Sequence, residues 1–201
     1  MNLKKTYFMK TFNLIFNLIL FSILDFIILA SINIIIESLI KYNVDFLMDL
    51  IHFLISTSNF LLLLGIVSTS TIVILTAIEV TSRIRSDYIS NFFQSIKQTF
   101  SLRRFMRQSE KSEKIVDTQK VTAYNPINDK FNRSVRKCYI DVMDDKIIVF
   151  IKVPRTQQTQ KILKELESQI KEEISSQNPE YIFSNFERHH NQLWLQGTKR
   201  K

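Results

Sequence analysis

Four places in the sequence carry side chains able to do chemistry. Asp25 is a carboxyl in the middle of an apolar stretch. An ionisable group in such a stretch marks a functional site by default, because it can carry a proton or hold an ion. Protonated, it can instead hydrogen-bond a neighbouring helix. His189 and His190 lie beside Glu187 and could assemble a small acid–base site. Two adjacent imidazoles with no further spaced ligand, however, make poor metal geometry. Cys138 lies in an alternating apolar segment with no histidine near it in sequence, the setting of a core residue more than of a nucleophile. His52 stands at the mouth of a second apolar stretch.

The motifs that usually organise such groups are missing. The sequence has no Gly-rich phosphate loop, no G-x-S-x-G and no H-E-x-x-H. Its two glycines, Gly65 and Gly197, are far apart, and its single cysteine removes any disulfide framework or multi-cysteine metal centre within the chain. The expectation is a protein that is not an enzyme, with no catalytic residue, metal or cofactor.

The elements that must position these groups divide the 201 residues into unlike parts. Phe12 to Ile36 is a 25-residue run whose only charge is Asp25, and Phe53 to Ile78 is a 26-residue run with none. Each exceeds the roughly 20 residues that a helical crossing of a bilayer needs. The rest of the chain is too small to cover two such helices in a soluble core. The first run is longer than a signal-peptide core, and Ala30-Ser31 is a poor cleavage site, so it reads as an uncleaved anchor.

Charge sets the expected orientation. The N-terminal tail carries Lys4, Lys5 and Lys10, the loop between the runs is net acidic, and Arg83, Arg85, Lys97, Arg103, Arg104 and Arg107 follow the second run against Asp87 alone. Basic flanks stay inside. Both termini are therefore expected in the cytoplasm, in a multi-pass protein of the cytoplasmic membrane. In an antiparallel pair Asp25 falls level with Gly65 and Ser68. Gly65 allows close approach, and Ser68 or Thr69 offers the carboxyl a hydroxyl. This favours a structural role for Asp25, within the hairpin or a homo-oligomer, over an ion path, since two helices enclose no pore.

Residues 81–107 form a basic juxtamembrane segment. Ile89, Phe92, Phe93, Ile96 and Phe100 recur at helical spacing, and with the six basic residues named above they suit an anionic inner leaflet. The alternative is a plain extension of the second run packed on the downstream domain. Residues 1–11 are a basic tail, 12–80 the hairpin, 108–130 a linker and 131–201 a small α+β domain in the order ββαββ. In that domain Val135 to Met143 alternates, Ile147 to Val153 is rich in β-branched residues, and Ile162, Leu163, Leu166, Ile170 and Ile174 stripe one helix. With the helix on one sheet face, the other is expected to present Lys137, Tyr139, Phe150, Lys152 and Trp194. Aromatics interleaved with lysines suit protein docking or, less well, nucleic-acid stacking. Ordinary cross-strand pairing is the simpler explanation.

The C-terminal run VFIKVPRTQQTQKILKELESQIKEEISSQNPEYIFSNFERHHNQLWLQGTKRK resembles the tail of small membrane proteins encoded on plasmids of low-GC Gram-positive bacteria, associated with mobilisation or conjugative transfer. The resemblance covers about a third of the chain and carries no catalytic signature. It implies an accessory subunit at the inner membrane face that helps a relaxase–DNA complex meet a coupling protein. The composite expectation is a membrane-anchored adaptor for a protein or nucleoprotein partner. The alternative is a small membrane effector or immunity protein acting through its hairpin.

Overall fold

A computed structural model describes residues 4–41, 45–109, 113–116, 119–122 and 125–200. The chain forms two compact units, one of Lys10–Thr81 and one of Met1–Met9 with Ser82–Lys201.

The first unit is built from two long helices, α1 (Tyr7–Lys41) and α2 (Met48–Ser86), which at about 1.5 Å per residue are about 50 and 60 Å long. A short 3-10 turn, Asp45–Leu47, precedes α2. Both helices are long and apolar enough to cross a membrane. They run antiparallel: Ser22 Oγ and Ser68 Oγ are 2.8 Å apart, and Ser58 Oγ donates to Asn33 Oδ1 at 2.8 Å. The seam is small and polar, with Ser22, Asp25, Ser58 and Ser68 buried. Leu, Ile and Phe side chains such as Leu20, Ile27, Leu63 and Ile74 point outward.

The second unit contains α3 (Ile89–Met106), a small hairpin of β1 (Glu113–Val116) and β2 (Gln119–Thr122), α4 (Pro126–Val135), β3 (Tyr139–Val142), β4 (Lys146–Lys152), α5 (Gln157–Gln177), β5 (Tyr181–Phe183), β6 (Glu187–His189) and β7 (Gln192–Lys199). All pairings are antiparallel: the main sheet runs β3-β4-β7-β5, and β6 also pairs with β7. The order after α4 is thus ββαβββ, where ββαββ was expected. The second hairpin contains two separate short strands, because β5 and β6 pair with different stretches of the long β7. The turn between β6 and β7 places His190 at φ 54°, a left-handed conformation that few non-glycine residues adopt.

Residues 126–130, expected to be linker, begin α4. Asn125 caps it by accepting from the Ile127 N–H at 3.0 Å, and Pro126 opens the first turn, the position where proline's missing N–H does no harm. One sheet face buries Ile140, Val142, Ile147, Val149, Ile151, Leu193 and Leu195 beneath Leu163, Ile170 and Ile174 of α5, Phe131 and Val135 of α4, and Leu102 and Met106 of α3. The central strand β4 is buried at five consecutive positions, the mark of a strand covered on both faces.

Candidate functional site

The hairpin seam brings together Asp25, Gly65 and Ser68. Asp25 is only 3% exposed. A Cβ placed on Gly65 would lie 2.8 Å from Asp25 Oδ2 and 3.2 Å from the Phe26 ring, so glycine is what lets the carboxyl and its helix come this close. The Ser68 hydroxyl pairs with Ser22 and lies 3.0 Å from the Gly65 carbonyl, and Thr69 donates to that same carbonyl at 2.8 Å. Neither hydroxyl reaches the carboxyl, and among the described residues Asp25 Oδ2 has no hydrogen-bond partner.

α3 is amphipathic in an unusual sense. Its inward face is Ser95, Gln98, Thr99, Leu102 and Met106, more polar than a helix normally turns toward a core. The reason is its neighbour, the outer edge of β3, whose backbone groups would otherwise lack partners. Thr99 Oγ1 accepts from the Ile140 N–H and donates to the Ile140 carbonyl, both at 3.1 Å. Ser95 Oγ accepts from the Val142 N–H at 2.9 Å, and Arg103 Nε donates to the Cys138 carbonyl at 2.9 Å. Four residues of helix rise about 6 Å and two residues of strand about 6.6 Å, so positions 95, 99 and 103 match 142, 140 and 138 in antiparallel register. Gln98 and Asn178 exchange side-chain amide bonds of 2.7 and 3.2 Å and tie α3 to the end of α5.

Arg83 sits at the top of this edge. Its guanidinium pairs with Asp141, donates to the Val142 carbonyl at 3.0 Å and lies over the Phe8 and Phe92 rings at 5.6 and 5.7 Å. Both charged partners are buried. Arg83 and the half-buried Arg103 therefore serve the fold, unlike a basic group spread on a surface. Arg85, Lys97, Arg104 and Arg107 are exposed.

The sheet face expected to be open is enclosed. Tyr139, Phe150 and Trp194 are all buried. Tyr139 stacks on Phe150 at 6.0 Å between centroids, and Phe150 meets Trp194 edge-on at 4.9 Å. Lys5 Nζ lies 3.9 Å from the Phe150 centroid and 5.4 Å from that of Tyr139, and Arg103 Cζ lies 5.0 Å from Tyr139. Lys137 is exposed and Lys152 half-buried, so the lysines frame the aromatic layer without alternating with open rings. Burial lowers the Lys5 ammonium, with Lys152 repelling it further, and burial lowers the Arg103 guanidinium against an opposing pull from Tyr139. Burial raises the Tyr139 phenol.

Cys138 is fully buried, and desolvation pushes its thiol up to about 12, the opposite of what a nucleophile requires. His189 Nε2 lies 3.6 Å from Glu187 Oε2 on the exposed β6–β7 hairpin. His52 is exposed in the other unit. Among the described residues no group of three or more His, Cys, Asp or Glu could hold a metal ion.

Two features escaped the sequence reading. The hydroxyl–arginine spacing of 95, 99 and 103 was a legible signal, masked by the stronger apolar stripe on the same helix. The Arg83–Asp141 pair joins residues 58 apart and leaves no local trace. Comparison with protein-family models, with curated proteins and with solved structures finds no match to this chain, and so lends no support to an association with plasmid mobilisation or conjugation.

Proposed function

We propose that this chain is a non-enzymatic, membrane-anchored adaptor. α1 and α2 cross the cytoplasmic membrane as a hairpin, both termini lie in the cytoplasm, and the second unit is presented at the inner face to a protein or nucleoprotein partner. The observation that carries this reading is the inverted pattern of the hairpin: serines, an asparagine and Asp25 in the seam, with large apolar side chains outside. Water would penalise such an exterior, whereas hydrocarbon favours it, and helices in lipid associate through small and polar residues. The basic flanks and the acidic connection between the helices support this orientation. Anchoring raises the local concentration of the second unit, so weak intrinsic affinity suffices for docking. With Tyr139, Phe150 and Trp194 enclosed, docking falls to the outer surface of that unit.

The test is topology. In sealed right-side-out vesicles an added protease should leave residues 82–201 intact, and in inverted vesicles it should remove them. Cleavage of that region in right-side-out vesicles, or release of the chain by alkaline carbonate, overturns the reading.

One observation favours a second reading, a small membrane effector or immunity protein acting through the hairpin: the unpartnered Asp25 Oδ2. It predicts that Asp25→Asn changes ion leakage from vesicles holding the purified chain. The adaptor reading expects unchanged leakage and altered accumulation only.

A further inference from the structure

α3 has a second face, turned away from the sheet. Ile89, Phe93 and Phe100 are exposed along it, Phe93 at 65%. At 3.6 residues per turn they share one stripe with Ile96. Lys97 and Arg104 flank the stripe. At its C-terminal end lies a cleft of about 650 Å³ between α3 and α4, lined among the described residues by Phe100, Arg103, Arg104, Arg107 and Arg136, with Asp129 as the one carboxylate. Asp129 is itself paired with Arg133 at 2.6 Å.

Charge in the cleft favours an anion by a clear margin. Among the described residues four guanidinium groups face one carboxylate. Arg103 adds its charge but is held by the Cys138 carbonyl, while Arg104, Arg107 and Arg136 are exposed. The C-terminal ends of α3 and α4 each add about half a negative charge, which still leaves about two positive charges in excess. Arginine's planar fork matches phosphate oxygens, and Phe100 joins the cleft to the apolar stripe.

We propose that this cleft and stripe form one site for an anionic phospholipid, Arg104, Arg107 and Arg136 holding the headgroup phosphate and Phe93 and Phe100 entering the interfacial layer. A free phosphorylated solute or a nucleic acid would use the arginines but would leave the apolar stripe without a role. The proposal rests on the membrane reading above, since only an anchored chain keeps α3 at a lipid surface.

The full chain is purified and reconstituted in nanodiscs of phosphatidylcholine, with or without phosphatidylglycerol. Phe93→Cys carries an environment-sensitive fluorophore, and the native thiol of Cys138 is buried and does not compete for it. Brominated lipid should quench the label as the phosphatidylglycerol fraction rises. Each exposed basic residue contributes about fivefold to such docking. Arg104→Gln, Arg107→Gln and Arg136→Gln combined should therefore weaken it about 100-fold, while the three Lys substitutions, which keep the charge and lose the planar fork, should weaken it by less. Incorporation in both lipids with equal quenching overturns the lipid site alone. So does displacement of the label from phosphatidylglycerol by millimolar inorganic phosphate or by a single-stranded oligonucleotide. A chain that incorporates in neither composition overturns the membrane reading and this site together. Circular dichroism on the Gln and Lys variants confirms that any loss is not unfolding.

Discussion

In the hairpin of residues 10–81, Ser22, Asp25, Ser58 and Ser68 are buried while leucines, isoleucines and phenylalanines face out; in the unit around the main sheet, Ile147, Val149, Ile151, Ile170 and Leu195 are buried and the charges face out. The two regions share a chain and a set of amino acids, yet they sort them oppositely. The difference teaches that burial follows the solvent. Apolar area is removed from water wherever water is the alternative, at roughly 25 cal/mol per Å². Where the surroundings are themselves apolar that gain vanishes, and close approach and hydrogen bonds hold helices together instead.

The largest expected effect falls on the exception within the unit around the main sheet, its buried ion pair. Arg83→Ala leaves the Asp141 carboxylate buried without its cation and should cost about 3–5 kcal/mol. That is more than Asp141→Ala, after which Asp87 still lies 3.5 Å from the guanidinium. Both are read from chemical denaturation of the detergent-solubilised chain. Replacing both with apolar residues should cost much less. If the single and double variants lose equally, the pair does not act as a unit.

Next comes the hairpin. Gly65→Leu forces side-chain atoms into the space held by Asp25 Oδ2 and the Phe26 ring. Overpacking should cost about 1–3 kcal/mol, seen as lost disulfide cross-linking between cysteines placed at positions 22 and 68. Unchanged cross-linking would mean that the seam is not tight.

A pH dependence sharpens the contrast further. The folded Cys138 thiol is raised from about 9 to about 12, so the native state binds the proton more tightly than the unfolded chain. Its contribution is fully present below pH 9 and lost as pH rises toward 12, at about 1.4 kcal/mol per pH unit. Tyr139 is shifted the same way and Lys5 the opposite way. The measurement is therefore the difference in stability between the natural chain and Cys138→Ala across pH 8–11, which should change slope above pH 9.

The smallest effect concerns the β6–β7 turn. His190→Gly frees a backbone held at φ 54° and should raise stability by at most about 1 kcal/mol, visible as a small upward shift in melting temperature. A fall would show that the imidazole contributes contacts worth more than the strain.

Long periodic segments were readable from the residues alone. The stripe from Ile162 to Ile174 marks α5, Gln157–Gln177, to within five residues at either end, because nothing tertiary competes with it. The two apolar runs mark α1 and α2 for the same reason. The sheet was harder. Its second face was expected to be open, yet the unbroken run Ile147 to Ile151 is what a strand covered on both sides looks like, and alternation in β3 drew attention from it. β6 is three exposed residues, Glu187 to His189, too short and too polar to read as a strand. α3 shows why the candidate surface was only half legible. Spacing revealed its apolar stripe, but which face would meet the protein depended on a strand edge more than thirty residues away, which needs hydroxyls more than it needs leucines.

That stitched edge has a consequence for growth of the sheet. With the backbone groups of Ile140 and Val142 already engaged by Ser95 and Thr99, no extended peptide can augment the sheet beside β3 without first prying a helix loose. Strand addition, by which one chain lengthens another's sheet, is confined to the opposite border, along Tyr181–Phe183 and Glu187–His189. There, among the described residues, β5 and β6 each pair only with β7.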